Sequence, residues 1–172
     1  GVFDLTTQKI DTHVRIRGLN APPVQAQNTW AYTTDKGVHI KEGTISQKIE
    51  ANPRGWYAPA WWRDRLVWVE DDGKGGEDLW NWTREKGTQP LLTTTKNQRH
   101  PIAFEDMLAW IEDDAIGIWK YGEEPSYTKA RVADRLAMSQ THLCWSQRGK
   151  DIDIHCQNGF VLRREKHQLW PV

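Results

Sequence analysis

A unit that returns about every forty residues constrains this chain more than any other feature, because such a period with strand patterning marks a repeat architecture. Three segments line up on an aromatic-centred strand followed by acidic or turn residues. They are Thr29-Trp30-Ala31-Tyr32-Thr33-Thr34-Asp35, Leu66-Val67-Trp68-Val69-Glu70-Asp71-Asp72 and Leu108-Ala109-Trp110-Ile111-Glu112-Asp113-Asp114. Tyr32, Trp68 and Trp110 are thereby equivalent, 36 and 42 residues apart. After each comes a turn and a strand that opens on an aliphatic residue. Further copies of that strand are read at Gly1-Val2-Phe3-Asp4 and, after the hairpin-forming pair Asn158-Gly159, at Phe160-Val161-Leu162. Anchored at Val2, Val38, Leu79, Ile118 and Phe160, the spacings are 36, 41, 39 and 42.

Two more short strands complete each unit. Ala58 to Trp62 and Pro101 to Phe104 precede the aromatic strands, and Gln89 to Thr94 and Tyr127 to Val132 follow the second ones. Four strands per repeat is the plan of a propeller blade, so the expected fold is an all-β, β-propeller of four-stranded antiparallel blades. About five repeats are expected in a single domain over 1–172, at approximately 1–22, 23–54, 55–97, 98–138 and 139–172, the first incomplete. A β-sandwich would also have short strands and turns, but it does not require the self-similarity. No long stretch holds the i, i+3, i+4, i+7 apolar face of a helix.

Val67-Trp68-Val69-Glu70-Asp71-Asp72-Gly73, ending in Glu77-Asp78-Leu79-Trp80, resembles the repeat of TolB-like propellers. In those repeats an apolar strand meets an acidic, glycine-containing turn and then Asp-aliphatic-aromatic. Ile111-Glu112-Asp113-Asp114 with Ile118-Trp119 keeps half of the pattern, and the other units keep only its apolar skeleton. Such repeats occur in periplasmic scaffolds and in propeller domains of peptidases, so the resemblance implies a fold more firmly than an activity.

In this register the sequence starts on a third strand and ends, at Gln168-Leu169-Trp170-Pro171-Val172, on a fourth. An open sheet edge is a template for pairing. The expectation is therefore either that the two ends share a blade, or that a second copy or a partner chain completes the first one.

Lys plus Arg and Asp plus Glu each number 23, so no strong field favours nucleic acid or an anionic membrane. Apolar stretches run only a few residues, and Gly1-Val2-Phe3-Asp4 carries neither a basic leader nor a signal core, which reads as a soluble or processed chain with no membrane span.

Cys144 and Cys156 flank the turn Gln147-Arg148-Gly149-Lys150-Asp151 at equal distance from residue 150. If the flanks form a hairpin, the two sulfurs face one another, which permits a disulfide and favours a periplasmic or secreted setting; two reduced core thiols are the alternative. His142 would share a face with Cys144, making a three-ligand metal site conceivable, but no second Cys-x-x-Cys or His pair supports one. No cofactor is expected. The acids Glu70, Asp71, Asp72, Glu77 and Asp78, and Glu112, Asp113 and Asp114, read as solvated hairpin acids rather than a calcium loop. As carboxylate pairs they also leave a glycoside hydrolase as the enzymatic alternative. The familiar nucleophile, nucleotide and zinc-protease signatures are absent, and no catalytic residue is assigned.

Of the eleven tryptophans, Trp68, Trp110, Trp80 and Trp119 recur at equivalent places and read as packing between sheets. Trp56, Tyr57, Trp61, Trp62 and Trp82 do not recur. Trp61 and Trp62 are adjacent and must point to opposite faces of a strand. Trp56, Tyr57, Trp61 and Trp62 are the candidate ligand-binding surface, unless a Trp-rich first strand merely fills a wide gap between blades. The expected function is a non-enzymatic binding or scaffold propeller that meets a protein, a peptide or a carbohydrate on one face of the ring.

Overall fold

A computed structural model of the chain describes residues 2–4, 9–11, 21–131, 133–148 and 152–162. Every regular element among them is a strand. Strands β1 (Val2–Asp4) and β2 (Lys9–Asp11) pair antiparallel as a two-stranded sheet. The first four-stranded sheet holds β3 (Val24–Ala26), β4 (Thr29–Thr34), β5 (Gly37–Glu42) and β6 (Ile45–Ile49). The second holds β7 (Ala60–Trp62), β8 (Arg65–Asp71), β9 (Glu77–Thr83) and β10 (Gly87–Leu92). The third holds β11 (Gln98–Phe104), β12 (Met107–Glu112), β13 (Ala115–Lys120) and β14 (Ser126–Lys129). The fourth holds β15 (Ala133–Met138), β16 (Leu143–Arg148), β17 (Ile152–Cys156) and β18 (Val161–Leu162). Within each, consecutive strands are neighbours. The segment Gln168–Val172, read as a fourth strand, lies outside the described residues.

The first strands adjoin in turn, β3 with β7, β7 with β11 and β11 with β15, while the sheets pack face against face. This is the radial plan of propeller blades. Three apolar layers separate the four sheets. Ala31, Val38, Ile40 and Ile49 meet Leu66 and Trp68. Val67, Val69, Leu79 and Trp62 meet Leu108 and Trp110. Ala109, Ile111 and Ile116 meet Leu143 and Trp145.

Trp68, Trp110 and Trp145 occupy one position in three successive blades, each lying against the sheet before it. Trp145 stands 35 residues after Trp110 and is the fourth member of the Tyr32, Trp68, Trp110 series. The residue directly across the hairpin differs each time: His39 stacks on Tyr32 at 4.8 Å, Trp80 faces Trp68, Gly117 faces Trp110, and His155 stacks on Trp145 at 6.0 Å.

Register corrects two of the residues that anchor the repeat, Ile118 and Phe160. The next residue pairs along each hairpin are Thr33↔Val38, Val69↔Leu79, Ile111↔Ile116 and Ser146↔Ile154. Ile116 rather than Ile118 is therefore the counterpart of Leu79. The difference arises because the β8–β9 turn is long and glycine-rich whereas only Asp113 and Asp114 separate β12 from β13. In the fourth sheet the counterpart is Ile154, and Phe160 instead leads into the outer strand β18. Strand β15 lies inside the expected repeat 98–138, yet it pairs with β16 and opens the fourth sheet.

Buried polar groups stitch neighbouring blades. Gln98 is fully buried; its Oε1 accepts the Leu79 N–H at 3.3 Å and its Nε2 donates to Thr94 Oγ1 at 2.6 Å and the Lys96 carbonyl at 2.8 Å. Thr33 Oγ1 donates to the Tyr57 carbonyl at 2.9 Å, and Trp62 Nε1 to the Asp106 carbonyl at 2.8 Å. Pairing these buried donors with carbonyl and hydroxyl oxygens spares them a desolvation penalty where loops run between sheets.

Candidate functional site

Antiparallel order fixes two ends to each blade. First strands begin at the upper end, which also carries the turns between second and third strands; the turns between first and second, and third and fourth, lie at the lower end. Trp56 and Tyr57 precede β7 and sit at the upper end. Trp61 and Trp62 are the last two residues of β7 and belong to the lower one. The four aromatic residues expected on one surface are thus divided between two.

They also differ in burial. Trp62 is 1% exposed, and its ring packs against Trp119 at 5.3 Å and Tyr121 at 5.8 Å in the next sheet. Tyr57 is buried too, edge-on to His100 at 4.7 Å, with its hydroxyl 3.4 Å from Glu77 Oε2. Neither offers a ring face to a ligand. Trp56 is 54% exposed, with the Arg54 guanidinium over its ring at 5.3 Å. Trp61 is half-buried and, as alternation requires, faces the first sheet while Trp62 faces the third.

The upper end gathers charge around Glu77. Arg54 lies 3.0 Å from Asp71 and 3.7 Å from Glu77, and Arg99 reaches Glu77 at 3.9 Å. Burial pushes the Glu77 carboxyl above the ordinary range despite both guanidinium groups and the Tyr57 hydroxyl, which pull the other way. Burial, reinforced by Arg135, holds His100 down at about 4. The Arg135 guanidinium lies 3.1 Å from His100 Nε2.

Several of the acids read as solvated are instead held by hydrogen bonds at the strand ends and turns. Trp110 Nε1 donates to Glu112, which is only 4% exposed, and Trp68 Nε1 donates to Glu70, which also accepts the Asn52 N–H at 2.6 Å. Asp72 accepts the Lys74 and Gly76 N–H groups at 2.7 Å, and those bonds hold its carboxyl below the usual range. A Trp-x-Glu spacing, in Trp68-Val69-Glu70 and Trp110-Ile111-Glu112, was the available signal for this pairing.

In the fourth sheet Cys144 and Cys156 are directly opposite and joined as a disulfide. That oxidation state corrects the metal alternative, since a disulfide has no thiolate to give a metal. His142 Nδ1 instead lies 2.6 Å from the neighbouring Thr141 hydroxyl.

At the lower end a groove of about 360 Å³ opens between the first and second sheets. Its walls are the half-buried rings of Trp61 and Trp82 and the side chains of Ile40 and Ile45, the latter 69% exposed. Trp82 reaches it because β9 alternates: Leu79, Asn81 and Thr83 are buried on one face, and Trp80 and Trp82 turn to the first sheet. Glu42, Asp64, Gln47, Thr29 and Arg84 supply the polar rim. Arg84 Nη2 bridges the groove to Glu42 at 2.7 Å, with both side chains largely solvent-exposed. An exposed pair of this kind is worth about 0–1 kcal/mol, so either partner can turn to a ligand at small cost. The spacing of Trp80 and Trp82, two apart on a strand, is the sequence signal for their common face. The apposition of Trp82 with Trp61 has no such signal.

No family model matches the chain, and no curated protein matches it. Among solved structures it is similar to BamB from Moraxella catarrhalis, a β-propeller, with a TM-score of 0.55 over 75% of this chain. The chain folds as a β-propeller. Identity to BamB is 12%, so the likeness is one of fold, and the chain spans 41% of BamB's length.

Proposed function

We propose that this propeller is a non-enzymatic binding or scaffold module, with TolB-like repeats, that holds its partner at the groove between the first and second four-stranded sheets. The observation that carries the reading is the pairing of two half-buried indoles, Trp61 and Trp82, with a rim of both hydrogen-bond donors and acceptors. Pockets that bind ligands combine apolar walls with a few convergent polar groups in just this way, and 360 Å³ lies within their usual range of about 300–1,000 Å³. Of the four aromatic residues singled out in the sequence, Trp61 is the one in this site. Trp56 is a separate exposed contact at the upper end, and Tyr57 and Trp62 act through packing. The disulfide suits an oxidising compartment, periplasmic or secreted.

The test is a fragment screen of small sugars and di- and tripeptides, read by NMR on the tryptophan indole N–H signals. Hits are expected to move the Trp61 and Trp82 signals and to be recovered chemically intact. Hits confined to Trp56 would relocate the site, and turnover of a glycoside would return the chain to the hydrolase alternative.

A further inference from the structure

The groove's chemistry narrows the ligand class, and the narrowing rests on the binding reading above. We infer that it takes a neutral saccharide of one or two rings, the pyranose lying against the Trp61 and Trp82 rings with its hydroxyls on the polar rim.

Three observations select this class. First, the two indoles are half-buried rather than buried, so each keeps ring surface turned to the groove while its remainder is fixed by the inter-sheet layer. A rigid aromatic face loses little conformational entropy on contact and suits the apolar C–H face of a sugar ring. Second, a sugar hydroxyl is both donor and acceptor, and the rim offers both roles. Glu42 and Asp64 accept, Arg84 donates, and Gln47 and Thr29 do either. Charge-assisted bonds to carboxylate and guanidinium are the strong members of such a set, and planar groups engage two neighbouring hydroxyls at once. Third, the rim carries two carboxylates against one guanidinium. Arg84 is paired with Glu42 at 2.7 Å, and Asp64 lies 3.7 Å from Arg65 beside the rim, so the charges are matched and the groove offers no cationic clamp for a phosphate or a nucleotide. The volume, about 360 Å³, is that of a small ligand rather than a docked helix.

The alternative occupant is a peptide. A bound strand would use the edge of β6, the outer strand of its sheet among the described residues, and successive apolar pockets, whereas this groove lies between two sheet faces and its lining has one well-exposed aliphatic residue, Ile45.

The experiment is a glycan array probed with the intact chain, followed by calorimetry on the best free oligosaccharide for the wild type, Trp82→Ala and Asp64→Asn. Asp64 is exposed on the β7–β8 turn, so its amide variant keeps the fold if the alanine variant does not. The expected result is saturable binding to one structural series, weakened about tenfold or more by Trp82→Ala, as for a stacked aromatic anchor, and severalfold by Asp64→Asn. No glycan bound, or equal binding by all three proteins, would overturn the saccharide inference. A peptide library displayed in parallel separates the two levels. Peptides captured in a Trp82-dependent manner without any glycan would sink the saccharide and keep the groove, and an absence of both would sink the groove as well.

Discussion

Replacing Gly117 by alanine tests whether the recurring aromatic position organises the blades. Gly117 sits directly opposite Trp110, and a Cβ placed on it would meet Trp110 Cε2 at 2.1 Å, Cζ2 at 2.2 Å and Nε1 at 2.7 Å. Those atoms belong to the middle of a ring that is fully buried and held edge-on by Tyr127 at 5.9 Å, so the whole indole must move. Overpacking of this kind costs about 1–3 kcal/mol. The shift also breaks the 3.2 Å bond from Trp110 Nε1 to the buried Glu112. The buried indole N–H left unpaired costs a further ~1–3 kcal/mol, while Glu112 keeps Lys96 at 3.7 Å. The expected loss is therefore about 2–6 kcal/mol, a large share of the 5–15 kcal/mol that holds a typical domain together. Urea unfolding followed by tryptophan fluorescence measures it as a lower midpoint at unchanged slope. Trp110→Phe, which shortens the ring, should cost less in the Gly117→Ala background than in the wild type, giving a positive coupling in a double-mutant cycle. A change within about 0.5 kcal/mol for Gly117→Ala, the range of an ordinary surface substitution, would refute the reasoning.

Trp62→Ala should lower stability by about 3–5 kcal/mol, whereas Trp56→Ala should leave it within about 0.5 kcal/mol; equal effects in a thermal melt would contradict their opposite burial. Reducing the Cys144–Cys156 bond, whose cysteines are 12 residues apart, should cost about 3 kcal/mol by loop entropy, read as the shift in urea midpoint with and without reductant. His100 has its pKa lowered from 6.5 to about 4, so on acidification across that window the unfolded chain takes up a proton that the folded chain refuses, and stability falls. Glu77, raised by burial, acts oppositely: its contribution is present at low pH and is lost as pH rises through its folded pKa. His100→Gln should therefore reduce the acid-side loss between pH 6.5 and 4, and Glu77→Gln should stabilise the protein at neutral pH relative to its effect at pH 4; a midpoint-against-pH profile unchanged by either substitution would count against both assignments.

The blade plan was legible in the sequence because it is written in local terms. Period-two alternation, turn residues and an aromatic at a fixed place in each unit specify strand, hairpin and face without reference to distant residues. The equidistance of Cys144 and Cys156 from their turn is equally local, and it permitted the direct pairing that the hairpin register shows. The same local reading misjudged Phe160 and Ile118, because counting residues from one blade to the next assumes equal turns. The long β8–β9 turn and the short β12–β13 turn break that assumption.

What only the tertiary structure decided is which side chains from different blades meet. Sequence places Trp61 and Trp62 on opposite faces of one strand, but the neighbouring sheets determine that Trp62 is sealed against Trp119 and Tyr121 while Trp61 lines an open groove. Trp82, Glu42 and Arg84 join Trp61 there only because a groove opens between the lower ends of the two sheets. Glu112 likewise became a buried acceptor instead of a solvated turn acid because Trp110, lying flat over Gly117, points its N–H at it. Strand formation is governed by neighbours along the chain, whereas burial and ligand access are governed by packing between sheets far apart in sequence.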